Sequence, residues 1–302
     1  MEYVYLLVGL AMLVAGGIWL VDGAATVATI IKVPKIVIGL SIVAIGTSIP
    51  EAAVTITAAI ERNNEIAIGT IIGTNIFNIL FIIGVCAFMK NMPTHEDILK
   101  RDFPWQMSTI MVFLIMLSNH NLVRVEGIIM ILFFLVYAYM MAKDMSEVRE
   151  KHSYKPTFKS GAFLIIGLAF VVVGGRFVVD SGSVIAKELG MTQGLMALTV
   201  LAIGTSLPEL MTSFIAAKKG EYDIAVGNVL GSNIFNILVV LGAASIINPI
   251  QCTMYAIADV GIMLIATGIM CFFAWNHKAT NRADGIIAVL LYILFVIYVS
   301  LR

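Results

Sequence analysis

The chain repeats itself at a constant offset of 158 residues, and no other feature of the sequence limits its fold so strongly. Glu51 in the first half matches Glu209 in the second without a gap, and GTNIFN at 73–78 matches GSNIFN at 231–236. Self-similarity over this length indicates two copies of one structural unit. The copies cover essentially the whole chain, so we predict a first repeat, a short polar linker and a second repeat at residues 1–144, 145–158 and 159–302.

The composition is typical of a membrane protein. Hydrophobic residues make up 60% of the chain and charged residues only 13%, whereas a soluble domain carries roughly 25% charged residues. The net charge is zero, which leaves no basic surface for nucleic acid. The three cysteines show no CxxC spacing and the four histidines form no cluster, so no cofactor is indicated. We expect the protein to be embedded in a lipid bilayer, and a monomer is compatible with the sequence.

Ten apolar segments are long enough to cross a bilayer, which takes about 20 residues of helix. They lie at 3–22, 34–60, 65–89, 103–119, 125–142, 159–180, 190–217, 223–247, 251–275 and 283–300. We predict an all-α polytopic membrane protein with ten transmembrane helices, five in each repeat. Since five is odd, the two copies cross the membrane in opposite senses, and inverted repeats of this kind are typical of secondary transporters. The first segment has no basic n-region, so we expect a transmembrane helix there and not a signal peptide.

The distribution of lysine and arginine over the loops predicts the orientation, because cytoplasmic loops carry the excess of these residues. One set of alternate loops holds most of them, namely Lys32, Lys35, Lys90, Lys100, Arg101, Lys143, Arg149, Lys151, Lys155, Lys159, Lys218, Lys219, Lys278 and Arg282. The loops on the opposite side hold only Arg62, Arg124, Lys187 and Arg302. We therefore expect a multi-pass protein of the cytoplasmic (plasma) membrane with both termini outside and the linker inside.

The second predicted span is interrupted in its middle by GTSIPE at 46–51. Pro50 has no N–H and its ring clashes with the carbonyl four residues earlier, so the helix should kink or break there. Carbonyls released by a break cannot stay unpaired in lipid and must face a partner, a cavity or a cation. Thr47 and Ser48 add hydroxyl oxygens, and Glu51 adds a carboxylate. The seventh span offers the mirrored set in GTSLPE, with Ala202, Thr205, Ser206 and Glu209.

The third and eighth predicted spans carry further oxygen atoms. Thr74 and Asn78 lie four residues apart and share one helix face. Ser232 and Asn236 repeat the pattern in the second half. We interpret these four side chains as candidate ligands of the same kind as those in the interrupted helices.

Other polar residues in the spans have roles that the sequence leaves open. Asn75 and Asn233 could hold the repeats together by hydrogen bonds between helices, or could serve as ligands. For Asp22 and Asp180, which lie beside glycines, we expect structural roles. Arg176 stands four residues before Asp180, so the two side chains could pair on one helix face.

The type of oxygen ligand indicates the class of ion. The candidate positions offer carboxylates, hydroxyls, amides and main-chain carbonyls, and no imidazole or thiolate. Hard cations such as Ca2+ and Na+ prefer oxygen, whereas Mg2+ keeps its water and transition metals call for nitrogen or sulfur. Two ionised glutamates would be neutralised by one Ca2+ or by two Na+. The same oxygens could therefore serve two ions in competition, as an exchanger requires.

These motifs resemble a known family. GTS-x-PE followed by G-[ST]-N-I-F-N in each half is similar to the α-repeats of the cation/Ca2+ antiporter superfamily, and most similar to the prokaryotic sodium/calcium exchangers. The resemblance implies four central helices that hold the ions and a first and sixth helix that slide across them as a gate. It also implies that Glu51 and Glu209 carry the calcium site. The residues that match the family's ion ligands are Ala44, Thr47, Ser48, Glu51, Thr74, Asn78, Ala202, Thr205, Ser206, Glu209, Ser232 and Asn236.

The chain departs from some members of this superfamily at Asn236, in its linker and in the first motif. Potassium-dependent exchangers and some archaeal exchangers have aspartate where this chain has Asn236, so the resemblance favours a potassium-independent exchanger. The short linker leaves no room for the regulatory calcium-binding domains of eukaryotic members. Proton-coupled relatives typically carry GN-x-x-E in the first motif, so the Thr-Ser-x-Pro form here speaks against protons as the coupling ion.

Our leading hypothesis is an antiporter that exchanges Na+ for Ca2+ by alternating access, with ions bound midway at the repeat interface. The alternative is a proton-coupled or other divalent-cation exchanger on the same fold. A hypothesis from a different functional class is a cation channel whose selectivity filter is formed by the two motifs. A membrane enzyme is disfavoured, because the chain has no nucleophile–base pair, HExxH motif or phosphate loop.

Overall fold

A computed structural model describes residues 2–31, 34–147, 158–188 and 202–301. This part of the chain is nearly all helical. It divides into two compact units, each taking segments from both halves of the sequence. Unit 1 comprises Met1–Pro50 with Met145–Asn228, and unit 2 comprises Glu51–Asp144 with Val229–Arg302.

The described helices follow the apolar segments. In chain order they are α1 (Glu2–Ile31), α2 (Lys35–Ile38), α3 (Ala44–Thr47), α4 (Ile49–Ile60), α5 (Asn64–Ile76), α6 (Ile83–Met89), α7 (Phe103–Met116), α8 (Arg124–Glu147), α9 (Phe158–Glu188), α10 (Ala202–Thr205), α11 (Leu207–Lys219), α12 (Tyr222–Phe235), α13 (Gly242–Ile247), α14 (Met254–His277) and α15 (Arg282–Ser300). Wider π-helical turns connect or extend several of them, at Gly39–Val43, Phe77–Ile82, Ile98–Asp102 and Asn236–Leu241. A 3-10 turn at Leu117–Asn119 follows α7.

Seven helices in the described ranges are long and apolar enough to cross a membrane. Five are α1, α8, α9, α14 and α15, and the other two are α5–α6 and α12–α13, each continuous through a π-helical turn. An eighth span results if α2–α3 and α4 count as one bent helix. The fourth predicted segment contains α7, which is only 14 residues long. The seventh falls partly on residues 189–201, outside the described ranges, so the count of ten remains a prediction.

The predicted break in GTSIPE is confirmed. Helix α3 ends at Thr47 and α4 begins at Ile49, with an angle of 49° between the two parts of the span. Ser48, at the break, has φ −81° and ψ 7°. Ser206 stands at the same point of the second repeat with φ −89° and ψ 4°, and Pro208 lies in the first turn of the helix that follows. The two copies of the motif therefore bend the chain in the same way.

In unit 1, α1 packs along most of its length against α9. Glycines make this close approach possible, because a side chain at Gly16 would overlap the backbone of α9 and one at Gly167 would overlap the backbone of α1. Small residues at helix contacts let backbones approach closely in membranes, where packing must replace the hydrophobic effect. This contact was not predicted from the sequence.

In unit 2, two short antiparallel strand pairs tie together loops that are distant in sequence. Strand β1 (Met92–Pro93) pairs with β4 (Ala279–Thr280), and β2 (Asn121–Leu122) pairs with β3 (Ile250–Gln251). Adding 158 to the residue numbers converts β1 into β3 and β2 into β4. The two strand pairs are therefore equivalent under the sequence repeat.

Candidate ion-binding site

The break in the first repeat meets the carboxylate of the second repeat within unit 1. Ser48 donates a hydrogen bond from Oγ to Oε1 of Glu209 over 3.0 Å. Both side chains are fully buried. Glu209 lies in the first turn of α11, whose amino-terminal end carries a partial positive charge that favours a carboxylate. A buried carboxylate next to a helix break is the arrangement expected of a cation ligand in a membrane.

A second hydrogen-bond chain in unit 1 begins at Thr47. The Thr47 hydroxyl lies 3.1 Å from Oδ1 of Asn228 and 3.3 Å from the carbonyl oxygen of Ala44. The Nδ2 of Asn228 donates to the Glu209 carbonyl at 3.3 Å and to Oγ of Ser213 at 2.9 Å. Asn228 is fully buried. Its hydrogen bonds connect Thr47 of the first repeat with Glu209 and Ser213 of the second.

The glycines of the two GTS motifs have a packing role in unit 1. A Cβ added at Gly46 would overlap Leu168, and one at Gly204 would overlap Val179. Both partners belong to α9, which therefore passes closely over both breaks. This close passage favours glycine at both positions.

In unit 2, three asparagines form a buried chain. Nδ2 of Asn78 donates to Oδ1 of Asn233 at 3.0 Å, and Nδ2 of Asn233 donates to the Asn75 carbonyl at 3.2 Å. Asn75 turns its own Nδ2 to the Ile71 carbonyl of the same helix at 2.7 Å. Of the two readings that the sequence left open for Asn233, the geometry favours hydrogen bonding between the repeats.

The remaining candidate residues are also buried. In unit 1 these are Ala44, Thr205 and Ser206, and in unit 2 they are Glu51, Thr74, Ser232 and Asn236. Both amide atoms of Asn236 lack a hydrogen-bond partner among the described residues. Ala202 begins α10, and its surroundings fall partly outside the described ranges. Whether these residues bind ions stays a prediction.

Two residues of this region were missed by the sequence analysis. Asn228 lies in GNVLG at 227–231, four residues before Ser232, and Ser213 lies four residues after Glu209. Both are polar residues inside an apolar span, and each stands four positions from a candidate ligand on the same helix face. That spacing was a usable signal. It pointed to the region, although not to the partners.

Charged pairs within unit 1 support structural roles for the other carboxylates. Lys219 Nζ lies 2.5 Å from Asp22, and Arg176 lies 3.8 Å from Asp180, as the spacing predicted. The second pair is largely exposed, and pairs of this kind contribute only about 0–1 kcal/mol. Lys35 contacts both carboxylate oxygens of Glu221, at 2.6 and 2.8 Å.

Taken together, these contacts favour cation binding over covalent chemistry. In the described part of both units, hydroxyl, amide and carboxylate oxygens lie buried in apolar helices. Their hydrogen bonds run from one repeat to the other, from Ser48 to Glu209 and from Asn78 to Asn233. Burying this many oxygen atoms in a membrane costs free energy unless they accept hydrogen bonds or coordinate a cation.

Comparisons with known proteins agree with this chemistry. The sequence model of the family described as sodium/calcium exchanger protein matches residues 1–143 and 159–301. The inner membrane protein YrbG of Escherichia coli is 34% identical over 93% of this chain and 91% of its own length. The sodium/calcium exchanger MaX1 of Methanosarcina acetivorans is 30% identical over 98% of this chain and 97% of its own length.

Solved structures of the sodium-calcium exchanger NCX_Mj have the same fold. One, from a crystal soaked with zero Na+ and Ca2+, superposes with a TM-score of 0.88 at 29% identity, covering 100% of this chain and 99% of the other. The relatives that are named as sodium/calcium exchangers are transporters and not enzymes. The chain therefore belongs to the sodium/calcium exchanger family of membrane transport proteins.

Proposed function

We propose that this protein is a secondary active antiporter that exchanges Na+ for Ca2+ by alternating access. The ions bind midway across the membrane, where the two repeats meet. The observation that carries the proposal is the hydrogen bond from Ser48 to Glu209, which brings a helix break of one repeat to a buried carboxylate of the other. Family membership and the similarity to known sodium/calcium exchangers support the choice of ions.

The carboxylates of Glu51 and Glu209 bind Ca2+ and together supply two negative charges when both are ionised. Hydroxyls, amides and carbonyls complete the coordination, since Ca2+ takes about six to eight oxygen ligands. The neutral ligands are Ala44, Thr47, Ser48, Thr74, Asn78, Ala202, Thr205, Ser206, Ser232 and Asn236. Two Na+ neutralise the same charge, so sodium and calcium compete for one set of oxygens.

Alternating access requires an element that can move past the binding residues. Helix α9 passes over both glycine-containing breaks and packs closely on α1 through glycines, so the two helices form one packed pair next to the breaks. We assign α1 and α9 as the moving gate. The protein lies in the cytoplasmic membrane with both termini outside, as the lysine and arginine distribution indicates, and a single chain suffices for exchange.

The experiment compares driving ions in proteoliposomes that contain the purified protein. Radiolabelled Ca2+ uptake is measured with an outward Na+ gradient, with a pH gradient alone and with no gradient. The proposal predicts uptake only with the Na+ gradient. Uptake driven by the pH gradient without Na+ would instead support a proton-coupled exchanger. Flux far above carrier rates with no counter-ion would support a channel.

A further inference from the structure

Helix α12 carries two buried asparagines that the proposed ligand set does not include. Asn228 and Asn233 are both fully buried. Each accepts a hydrogen bond from a proposed ligand of the first repeat, Asn228 from Thr47 and Asn233 from Asn78. The direction of these hydrogen bonds decides what the two ligands can offer to a cation.

The amide orientation of Asn233 follows from its partner. The carbonyl of Asn75 can only accept, so the group of Asn233 that faces it must be Nδ2, at 3.2 Å. The other end of the amide, Oδ1, then faces Asn78 and can only accept. Asn78 must therefore present its Nδ2 to Asn233.

This orientation leaves the oxygen of Asn78 for an ion. Its Oδ1 is buried and has no hydrogen-bond partner among the described residues. A buried amide oxygen without a partner is costly, and a cation would remove that cost. If the amide of Asn78 were flipped, its NH2 group would repel a cation from the same position.

The hydrogen bonds that connect Thr47, Asn228 and Ser213 fix the amide orientation of Asn228 in the same way. Ser213 donates to the Ala225 carbonyl at 3.4 Å and accepts from Nδ2 of Asn228, which also donates to the Glu209 carbonyl. Both end points are carbonyls, so Oδ1 of Asn228 faces Thr47 and accepts a hydrogen bond from its hydroxyl at 3.1 Å, a shorter distance than the 3.3 Å to the Ala44 carbonyl. The lone pairs of the Thr47 oxygen then remain for a cation.

The first repeat has no equivalent of this arrangement. The positions 158 residues earlier hold Thr70 and Asn75. Asn75 directs its Nδ2 to a carbonyl of its own helix. Thr70 is partly exposed, and its hydroxyl has one hydrogen atom to donate, whereas Nδ2 of Asn228 donates to two acceptors.

We propose that Asn228 and Asn233 are positioning residues, which take up the hydrogen atoms of Thr47 and Asn78 and so present their oxygens to the transported cation. This inference rests on the proposed function. The inference adds to the proposed function that residues of α12, in the second repeat, orient two ligands of the first repeat.

A double-mutant cycle on Ca2+ binding tests the assignment. Calcium affinity is measured by titration calorimetry on the full-length protein in detergent for Asn233→Leu, Asn78→Leu and the double variant. A lost orienting hydrogen bond should weaken Ca2+ binding about tenfold. In the Asn78→Leu background, Asn233→Leu should add less than about twofold, because its effect passes through Asn78. A second cycle uses Asn228→Leu and Thr47→Val in the same way.

Thr70→Val is the matched control, since it changes the repeat-equivalent of Asn228 and should leave Ca2+ affinity within about twofold. Where a leucine variant does not fold, Asn228→Ala or Asn233→Ala replaces it. In transport, the positioning role raises the half-saturating concentrations of both Na+ and Ca2+. A purely structural role would lower only the maximum rate.

Fully additive effects in both cycles, or single variants with unchanged Ca2+ affinity, would overturn the proposal. The failure of the proposed function is a separate outcome. Wild-type protein that binds Ca2+ but shows no Na+-dependent uptake would refute sodium exchange, and the binding cycles would still decide the role of the two asparagines.

Discussion

Ser48 Oγ donates a hydrogen bond to Oε1 of Glu209 over 3.0 Å, although the two residues lie 161 positions apart in the chain. The serine stands at the helix break of the first repeat, and the glutamate follows the equivalent break in the second. The break of one copy therefore supports the charged group of the other. Each repeat therefore supplies only one of the two partners of this hydrogen bond.

Glu209→Gln should abolish Ca2+ exchange. The amide keeps the size of the side chain and can still accept from Ser48, but it removes one of the two proposed negative charges. We expect Ca2+ affinity to fall by more than about tenfold, or about 1.4 kcal/mol. Calcium titration calorimetry and Na+-dependent uptake measure the loss, and Glu51→Gln should behave alike.

Asp22→Asn is the matched control for the glutamate variants. Asp22 is also an acidic residue within a membrane helix, but it pairs with Lys219 and lies partly exposed. Pairs of this type contribute about 0–1 kcal/mol, so exchange should stay near the wild-type rate. Normal Ca2+ affinity in the Glu209→Gln variant would show that Glu209 does not belong to the ion-binding site.

Ser48→Ala should weaken Ca2+ binding less than the glutamate variants do. The variant removes one hydrogen bond to a carboxylate and one neutral oxygen, and keeps the charge. A hydrogen bond to a charged group is worth about 1.5–3 kcal/mol, which corresponds to at least about tenfold in affinity. The ratio of Ca2+ affinities in Ser48→Ala and wild type provides the measurement, and an unchanged ratio would contradict the role assigned to Ser48.

Gly167→Ala should destabilise the packing of α1 against α9. An added Cβ would overlap the backbone at Leu20 and Gly16, which cannot move aside as a flexible side chain could. Overpacking of this kind costs about 1–3 kcal/mol. The midpoint of thermal unfolding in detergent should fall, and the exchange rate with it.

Gly261→Ala serves as the control for that variant. Among the described residues, nothing lies within 4 Å of a Cβ added at Gly261. Alanine in a helix is favoured over glycine by about 1 kcal/mol, so the midpoint should stay constant or rise. Equal losses in both variants would show that the α1–α9 contact has no special sensitivity.

The ion pair between Lys35 and Glu221 should contribute little to stability. Its side chains are 40% and 24% exposed, despite contacts at 2.6 and 2.8 Å. A double-mutant cycle with Lys35→Met and Glu221→Gln should give a coupling free energy below about 1 kcal/mol that decreases with added salt. A larger coupling that salt does not affect would indicate a buried gate contact instead.

Much of this architecture could be predicted from the sequence. The restricted backbone of Pro50 predicts the break at Ser48, and the offset of 158 residues predicts that Ser206 repeats it. The burial of Glu51 and Glu209 follows from their place inside apolar spans. These features depend on local chemistry and on the repeat, both of which can be read directly.

Other features depend on tertiary contacts that no local pattern encodes. Helix α1 extends to Ile31, beyond the predicted apolar segment that ends at residue 22, and packs against α9 and α11. The partners of Asn228 lie in two other helices, Thr47 in α3 and both Glu209 and Ser213 in α11, so its role could not be assigned from the GNVLG stretch at 227–231. The passage of α9 over Gly46 likewise depends on a helix more than a hundred residues away.

The most direct test of the central claim is calcium accumulation against its own gradient. Proteoliposomes loaded with Na+ and Ca2+ are diluted into Na+-free medium with radiolabelled Ca2+ below the internal concentration, and Glu209→Gln provides the inactive control. The account predicts net Ca2+ uptake that stops when Na+ is equal on both sides. Net uptake that persists without a Na+ gradient, or Ca2+ that only moves down its own gradient, would contradict it.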